Sequence, residues 1–350
     1  MLTVNALDFM NYKSALKGNY RKGVHVFRCI LENPTQAADF AANLGGVCVV
    51  FGVPIGQDDR NSQQLLALLQ ASSVIDQAAL TWVSQWYPDY ADDWNTMAAD
   101  SDRAGEMAAN ELIWRAVGSS PVGAGKVIAT IAGLNCQDYA DMTAVAASST
   151  AMAAVTASPT AMAAIATSSM ATAKYAASAA GLNPADYDDM TELAASSTAM
   201  AAVIANSTAL NAVVSSSVAM TAVAASQTAM AAVAASSTAR VAITSSATAK
   251  SALASSPLKQ SVSTTAASGS YKQLVSGRAC FIISATHNNS GWTFGLRYLY
   301  TSATGSEAKT YSSTTSAQSI NLFTTNAGLA AFANSGSATS GNLTLSYIPC

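Results

Sequence analysis

The chain has 350 residues, half of them apolar and only 11% charged, less than half the usual share of about 25%. Much of the apolar content is alanine, so large side chains are too sparse for one thick core, and a thin or repetitive body is expected. Residues 1–192 hold 10 Lys/Arg against 19 Asp/Glu, a net charge of −9, whereas residues 193–350 hold 7 against the single carboxylate Glu307, a net charge of +6. A basic distal half favours encounter with anionic surfaces such as phosphorylated polysaccharide, and the same charges also serve simply to keep an alanine-rich rod soluble.

The N-terminal segment, residues 1–90, has ordinary globular composition. Its apolar run GVCVVFGVPI, Gly46 to Ile55, reads as a buried strand and SQQLLALLQ as the helix that follows, giving a mixed globular attachment domain at the start of an α+β multidomain chain. The first residues carry charges where a signal peptide needs an apolar stretch, so export by that route is not expected and assembly in a cytoplasm fits.

From about residue 91 to 258, within a stalk taken as residues 91–265, the chain repeats with a period of ten, TAMAAVAASS from Thr228 being the clearest copy. One position always holds a helix N-cap type: Asp100, Asn110, Ser120, Thr130, Asp138, Ser148, Ser158, Ser168, Ser178, Asp186, Ser196, Asn206, Ser216, Ser226, Ser236, Ser246 and Ser256. Pro121, Pro159 and Pro257 each follow that position, where a first helical residue needs no N–H. Four and seven residues beyond it come larger apolar pairs, among them Trp94 and Met97, Met142 and Val145, and Met220 and Val223, which share one helix face. A longer repeat is nested within: AGLNCQDYADMTAVAASST at 132–150 returns as AGLNPADYDDMTELAASST at 180–198, which is 48 residues later. Gly133 and Gly181 read as helix C-caps there, and Asp138 and Asp186 as caps of the next helix.

A continuous helix would rotate the apolar stripe by about 80° per decad, so no seam could form. The expectation is therefore a stalk of two-turn helices, each stacked on the next, giving a rod of roughly 120–150 Å at 8–10 Å per unit. The uncharged stretch from Leu193 to Ala239 is long enough to span a bilayer, but its recurrent Ser, Thr and Asn oppose insertion.

Residues 266–350 carry runs such as ACFIIS, GWTFGLRYLY, SINLF and NLTLSYI that read as strands, with Trp292, Phe294, Leu296, Tyr298 and Tyr300 alternating onto one face. A sandwich-like antiparallel tip follows. Its candidate ligand-binding residues are His287, Asn288, Asn289, Trp292, Arg297 and Tyr298, a set suited to stacking on sugars and bonding their hydroxyls. The competing assignment puts Trp292 and Tyr298 in the core and the Asn pair in a plain turn.

Little catalytic chemistry is available. The last 158 residues contain one carboxylate, Glu307, where glycoside hydrolysis needs two, and a Ser/His/Glu set would have to use His287 and Glu307. With only His25 and His287 there is no histidine-rich metal site, and no cofactor is expected. Asp138 with Asp141, and Asp186 with Asp188 and Asp189, stand where first-turn acids stabilise helices rather than hold calcium. SSPVGAGKV, Ser119 to Val127, imitates a phosphate-binding loop but has Ser120 at the first glycine and Val127 at the required Ser/Thr. No basic cluster with interleaved aromatics suggests nucleic-acid binding. The five cysteines, Cys29, Cys48, Cys136, Cys280 and Cys350, form no paired motif, and only Cys350 is a candidate for an interchain disulfide.

Over residues 130–350 the sequence resembles bacteriophage tail-fibre proteins, in which degenerate decads like STAMAAVAAS precede a small C-terminal β domain. That resemblance implies a virion protein, docked on other virion proteins through its N-terminus, meeting a host-surface polysaccharide or protein through its C-terminus, and assembled as a homotrimer; the scarcity of carboxylates makes the expected protein a non-enzymatic one. A collar, tail or capsid decoration without a receptor role, and a cell-surface adhesin, are the alternatives.

Overall fold

The computed structural model describes residues 20–52, 60–91, 93–267, 272–275, 279–287, 292–299, 307–311, 317–324, 326–333 and 340–350. Among the described residues, the elements are helical through Ala254 and antiparallel β strands from Gln260 onward. It divides into two compact units, the first holding residues 1–178 and 183–189, the second residues 179–182 and 190–350.

The first unit begins with α1 (Tyr20–Glu32), α2 (Pro34–Ala41), α3 (Leu44–Phe51), α4 (Arg60–Gln70) and α5 (Ile75–Val83). The run expected as a strand is a helix as far as Phe51, and Val53 to Ile55 lie outside the described residues. A short apolar run without alternation cannot distinguish a buried strand from a buried helix. Here the local signal that decides is Asn43, whose side chain accepts from Gly46 N at 3.1 Å, and Val47, Val50 and Phe51 are then fully buried. All described elements of this segment are helical. Aromatic packing joins them: Phe27 meets Phe40 edge-on at 5.1 Å and Phe51 lies 6.4 Å from Trp82.

Next come α6 (Trp94–Ala98), α7 (Ser101–Ala109), α8 (Glu111–Val117), α9 (Pro121–Ile131), α10 (Met142–Ala147), α11 (Ser149–Ala157), α12 (Pro159–Ile165) and α13 (Ser169–Ala179). Asp100, Asn110, Ser120, Ser148 and Ser158 cap helices as expected. Four other expected caps do not. Thr130 and Ser178 lie inside the 11-residue helices α9 and α13, and Asp138 and Asp186 lie inside 3-10 turns at Cys136–Asp138 and Pro184–Asp186. The eight-residue insertion moves the corner: Asp141 caps α10 by accepting from Ala144 N at 2.8 Å, while Asp138 and Asp186 accept from Asn135 and Asn183 Nδ2. Gly133 and Gly181 do end helices, at φ of +78° and +75°, and Leu134 N bonds back to Ala129 O as a left-handed cap requires.

The second unit holds α14 (Met190–Ala195), α15 (Ser197–Ala205), α16 (Ser207–Ser215), α17 (Ser217–Ala225), α18 (Gln227–Ala235), α19 (Ser237–Ser245) and α20 (Ala247–Ala254). Each nine-residue helix from α15 to α19 is followed by one extended residue, Asn206, Ser216, Ser226, Ser236 or Ser246, that ends one helix and caps the next. The chain bends by 106° between α15 and α16 and by 98° between α17 and α18. Three helices therefore bring it most of the way round, and the packing is between third neighbours: α14 on α17, α15 on α18, α16 on α19 and α17 on α20. The decads form a coil with three helices per turn. A layer spacing of about 8–10 Å then advances the axis only about 3 Å per decad, a third of what stacking each helix on the next would give.

The apolar pairs read from the sequence fill the coil: Met200 with Val203, Leu210 with Val213, Met220 with Val223 and Met230 with Val233 are all buried. In the last two decads the methionine position holds Arg240 and Lys250, both half-buried. Such side chains cover apolar surface with their stems and keep a charge at the rim, which suits the end of a repeat stack. Pro257 begins no helix; it lies past the end of α20, just before the first strand.

Eight strands follow: β1 (Gln260–Ala267), β2 (Lys272–Val275), β3 (Cys280–His287), β4 (Trp292–Leu299), β5 (Glu307–Tyr311), β6 (Gln318–Thr324), β7 (Asn326–Ala333) and β8 (Ser340–Pro349). They form two four-stranded antiparallel sheets ordered β1-β8-β3-β6 and β2-β7-β4-β5, the strand order of a jelly roll. The β region starts at Gln260, six residues before the expected boundary, because SVSTTAA pairs with β8 rather than continuing the stalk. Between the sheets, Val275, Cys280, Ile282, Ala285, Leu343 and Leu345 make the core.

Candidate functional site

Of the places the sequence opens to chemistry, the phosphate-loop mimic resolves into particular contacts. At the phosphate-loop mimic, Ser120 caps α9 by accepting from Gly123 N at 2.8 Å. The space an anion would take at this helix start is filled by Asp76, whose Oδ1 accepts from Ser120 Oγ at 2.5 Å and Val122 N at 3.0 Å. The two glycines serve packing: a Cβ on Gly123 would come within 2.8 Å of the Trp94 ring, and one on Gly125 would run into the Asp141–Met142 peptide. Lys126, 5% exposed, donates to Cys136 O at 3.0 Å.

That lysine has a counterpart 48 residues on. Lys174, 4% exposed, donates to Pro184 O at 3.2 Å and Tyr187 O at 3.4 Å. In both copies an ammonium replaces the alanine found six residues after the cap in decads such as TAMAAVAASS, and ties down the inserted 3-10 turn. The sequence carried a signal for this pair, a lysine in one phase at a 48-residue interval, which the decad alignment passed over.

A solvent-facing aromatic group lies on the first unit. Trp86 and Tyr90 are 36% and 40% exposed, the Arg103 guanidinium stands 3.7 Å from the Tyr90 ring centre, and Tyr87 OH lies 3.3 Å from Glu106 Oε2. Burial, with the Glu106 carboxylate beside it, raises the Tyr87 hydroxyl above the usual tyrosine value.

In the β domain, the backbone places His287 at the end of β3 opposite Leu343, and Trp292 at the start of β4 opposite Ala333. Arg297 and Tyr298 fall near the other end of β4, opposite Gly328 and Ala327. Five residues of strand separate Trp292 from Arg297, about 17 Å. The side chains of His287, Trp292, Arg297 and Tyr298 lie outside the described residues, as do Asn288, Asn289 and Tyr300 entirely.

The outer face of the β1-β8-β3-β6 sheet is described and has a distinct chemistry. Leu343 and Leu345 point into the core, so Asn342, Thr344 and Ser346 face outward, and the register aligns them with Thr265, Ser263 and Ser261 on β1 and with Thr286 and Ser284 on β3. Ser263 Oγ and Thr344 Oγ1 are 2.8 Å apart, and Thr265 Oγ1 donates to Asn342 Oδ1 at 2.8 Å. These rows contain hydroxyls and one amide but no charge. Toward the other end of the same face the residues turn apolar and buried: Phe281 and Phe323, with ring centres 4.9 Å apart, and Ile348. There α19 meets β6 and Gln227 Nε2 donates to Pro349 O at 3.1 Å, so the end of the decad coil covers that part of the sheet.

Cys350 N donates to Ala279 O at 2.8 Å, holding the last residue against the start of β3, with its side chain half-exposed. No disulfide joins the five cysteines. Among the described residues, no single helix is long and apolar enough to cross a membrane. No known family profile and no curated protein matches this chain.

Proposed function

We propose that the chain is a structural, non-enzymatic fibre protein of a bacteriophage virion, attached through its N-terminal helices and presenting the β domain to a host surface. The observation that carries this reading is the coil of decads, closed at its end by a sheet. The recurring decad positions are occupied by caps and packed apolar groups, which supports a structural spacer as their role. The finer domain division belongs to the same reading: attachment helices, decad stalk and jelly-roll tip. Jelly rolls serve in viral and lectin proteins, which is an analogy of fold and not of site.

The test is to label virions of the phage whose genome encodes the chain with an antibody to it. Label on particles, at one end of a projecting fibre, is the expected result; label on the bacterial surface in uninfected cells would sustain the adhesin alternative and overturn the virion reading. Purified chain added in excess should then block adsorption. Unimpaired adsorption would leave a collar, tail or capsid decoration as the function.

A further inference from the structure

A β-sandwich has four edge strands, and each unpaired edge offers N–H and C=O groups to any other chain. Here the edges are β1, β6, β2 and β5. Three of them carry features that discourage pairing. β2 is four residues long, begins with Lys272 and has an irregular register after Gln273. β5 is five residues long and carries Glu307 and Lys309. β6 has a register shift opposite β3 and holds Asn321 at φ +52°. β1 has none of these features. It runs eight residues, QSVSTTAA, without charge, proline or bulge, in unbroken register with β8, and Ser261, Ser263 and Thr265 are exposed along it. Among the described residues nothing pairs with its outer edge.

We propose that the β1 edge is a self-association surface, on which a second copy of this chain adds its own β1 antiparallel about a two-fold axis, joining two four-stranded sheets into one of eight strands. A two-fold strand pair is self-complementary by construction, and it needs each residue to face one of the same parity. Pairing centred on Ser263 sets Ser263 against the partner's Ser263, and Ser261 against the partner's Thr265, so every outer row continues hydroxyl to hydroxyl. Lys259, just before the strand, meets the partner's Ala267, so no like charges oppose. The free edges of the other strands, with their charges and irregularities, fit this arrangement worse. The inference stands independently of the virion reading and predicts a pair of chains, where the family resemblance implies three.

The test uses the full chain. Its solution mass by light scattering should be twice the chain mass, and the association should hardly change between low and high salt because no charge lies in the paired rows. Ser263→Lys puts like charges opposite each other and should weaken association by about fivefold or more, with far-ultraviolet circular dichroism unchanged. In a background with Cys29, Cys48 and Cys350 replaced by Ser, Ser263→Cys should give a disulfide-linked pair on mild oxidation, since facing positions in antiparallel strands lie about 4.5–5.5 Å apart at Cα. A monomeric or trimeric mass would overturn the proposal. So would a dimer that S263K leaves intact, or one in which S263C does not cross-link.

Discussion

The two helical regions solve the same closure problem with different lengths of chain. In the coil of the second unit, the serine at a corner donates to a carbonyl two residues before the corner one turn below: Ser226 to Ala194 at 2.6 Å, Ser246 to Val214 at 2.9 Å, and Ser256, expected to cap a helix but with none after it among the described elements, to Ala224 at 2.5 Å. Every such tie spans 32 residues. In the first unit Ser168 donates to Gly118 O at 2.5 Å, again two residues before a cap, Ser120, but over 50 residues. The corner is the conserved object and the path between corners is variable. A serine hydroxyl suits it because the oxygen accepts from its own helix's third N–H while its proton goes to the next layer. Ser178, although inside α13, still makes the same 32-residue tie to Ala146 O at 2.5 Å.

The longer path demands tighter packing, and the largest effect should come from breaking it. Gly125→Ala would push a methyl into the Asp141–Met142 backbone, which cannot move aside as a side chain could, and should cost about 3 kcal/mol or more. The equivalent position in the second 48-residue copy is already Ala173. Ala173→Gly should cost no more than about 1 kcal/mol. Denaturant unfolding of the two variants checks the contrast.

Next come the lysines. Replacing Lys126 or Lys174 by Met removes a charged donor and leaves buried carbonyls unmet, an expected loss of about 2 kcal/mol, greater at Lys174, which serves two carbonyls. Amide exchange in residues 132–141 and 180–189 should speed up in the matching variant only.

The corner itself is tested by a smaller difference. Ser226→Ala loses both a cap and an interlayer bond, about 2 kcal/mol, while Ser236→Ala loses the cap alone, about 1 kcal/mol. Ser226→Asp keeps an acceptor for Ala229 N without the donor and should fall between them. Equal losses at Ser226 and Ser236 would mean the tie contributes nothing.

The smallest effect is at Tyr87. Its folded value is raised, so the folded state favours the neutral phenol; that contribution is complete below the ordinary tyrosine value of about 10 and is lost as pH rises through the higher folded value. Ultraviolet titration should show a late-ionising component that disappears in Tyr87→Phe, and that moves back toward the ordinary value in Glu106→Gln.

Much of the helical region was legible because its determinants are local. Serine at a fixed phase, proline after Ser120 and Ser158, and pairs such as Met220 with Val223 report on neighbours within one helix. The layering was not legible, since the corner angle decides whether a helix stacks on its first or its third neighbour, and no residue pattern states that angle. Asp138 was misassigned for the opposite reason: it matches the phase, but the insertion places Asp141 at the actual helix start. In the β domain the strands were readable from alternation, whereas the bare β1 edge emerges only when all four edges are compared.

The central claim is the three-helix turn, and the most direct test is a distance between exposed positions 30 residues apart. Spin labels at residues 201 and 231, on α15 and α18, in a chain with its native cysteines replaced, should show strong dipolar broadening from adjacent layers about 8–10 Å apart. Labels at 201 and 221, on helices in different sides of the turn, should be farther apart than that pair. A 201–231 separation near 25–30 Å, as successive stacking would give, or near 45 Å, as a continuous helix would give, would contradict the coil.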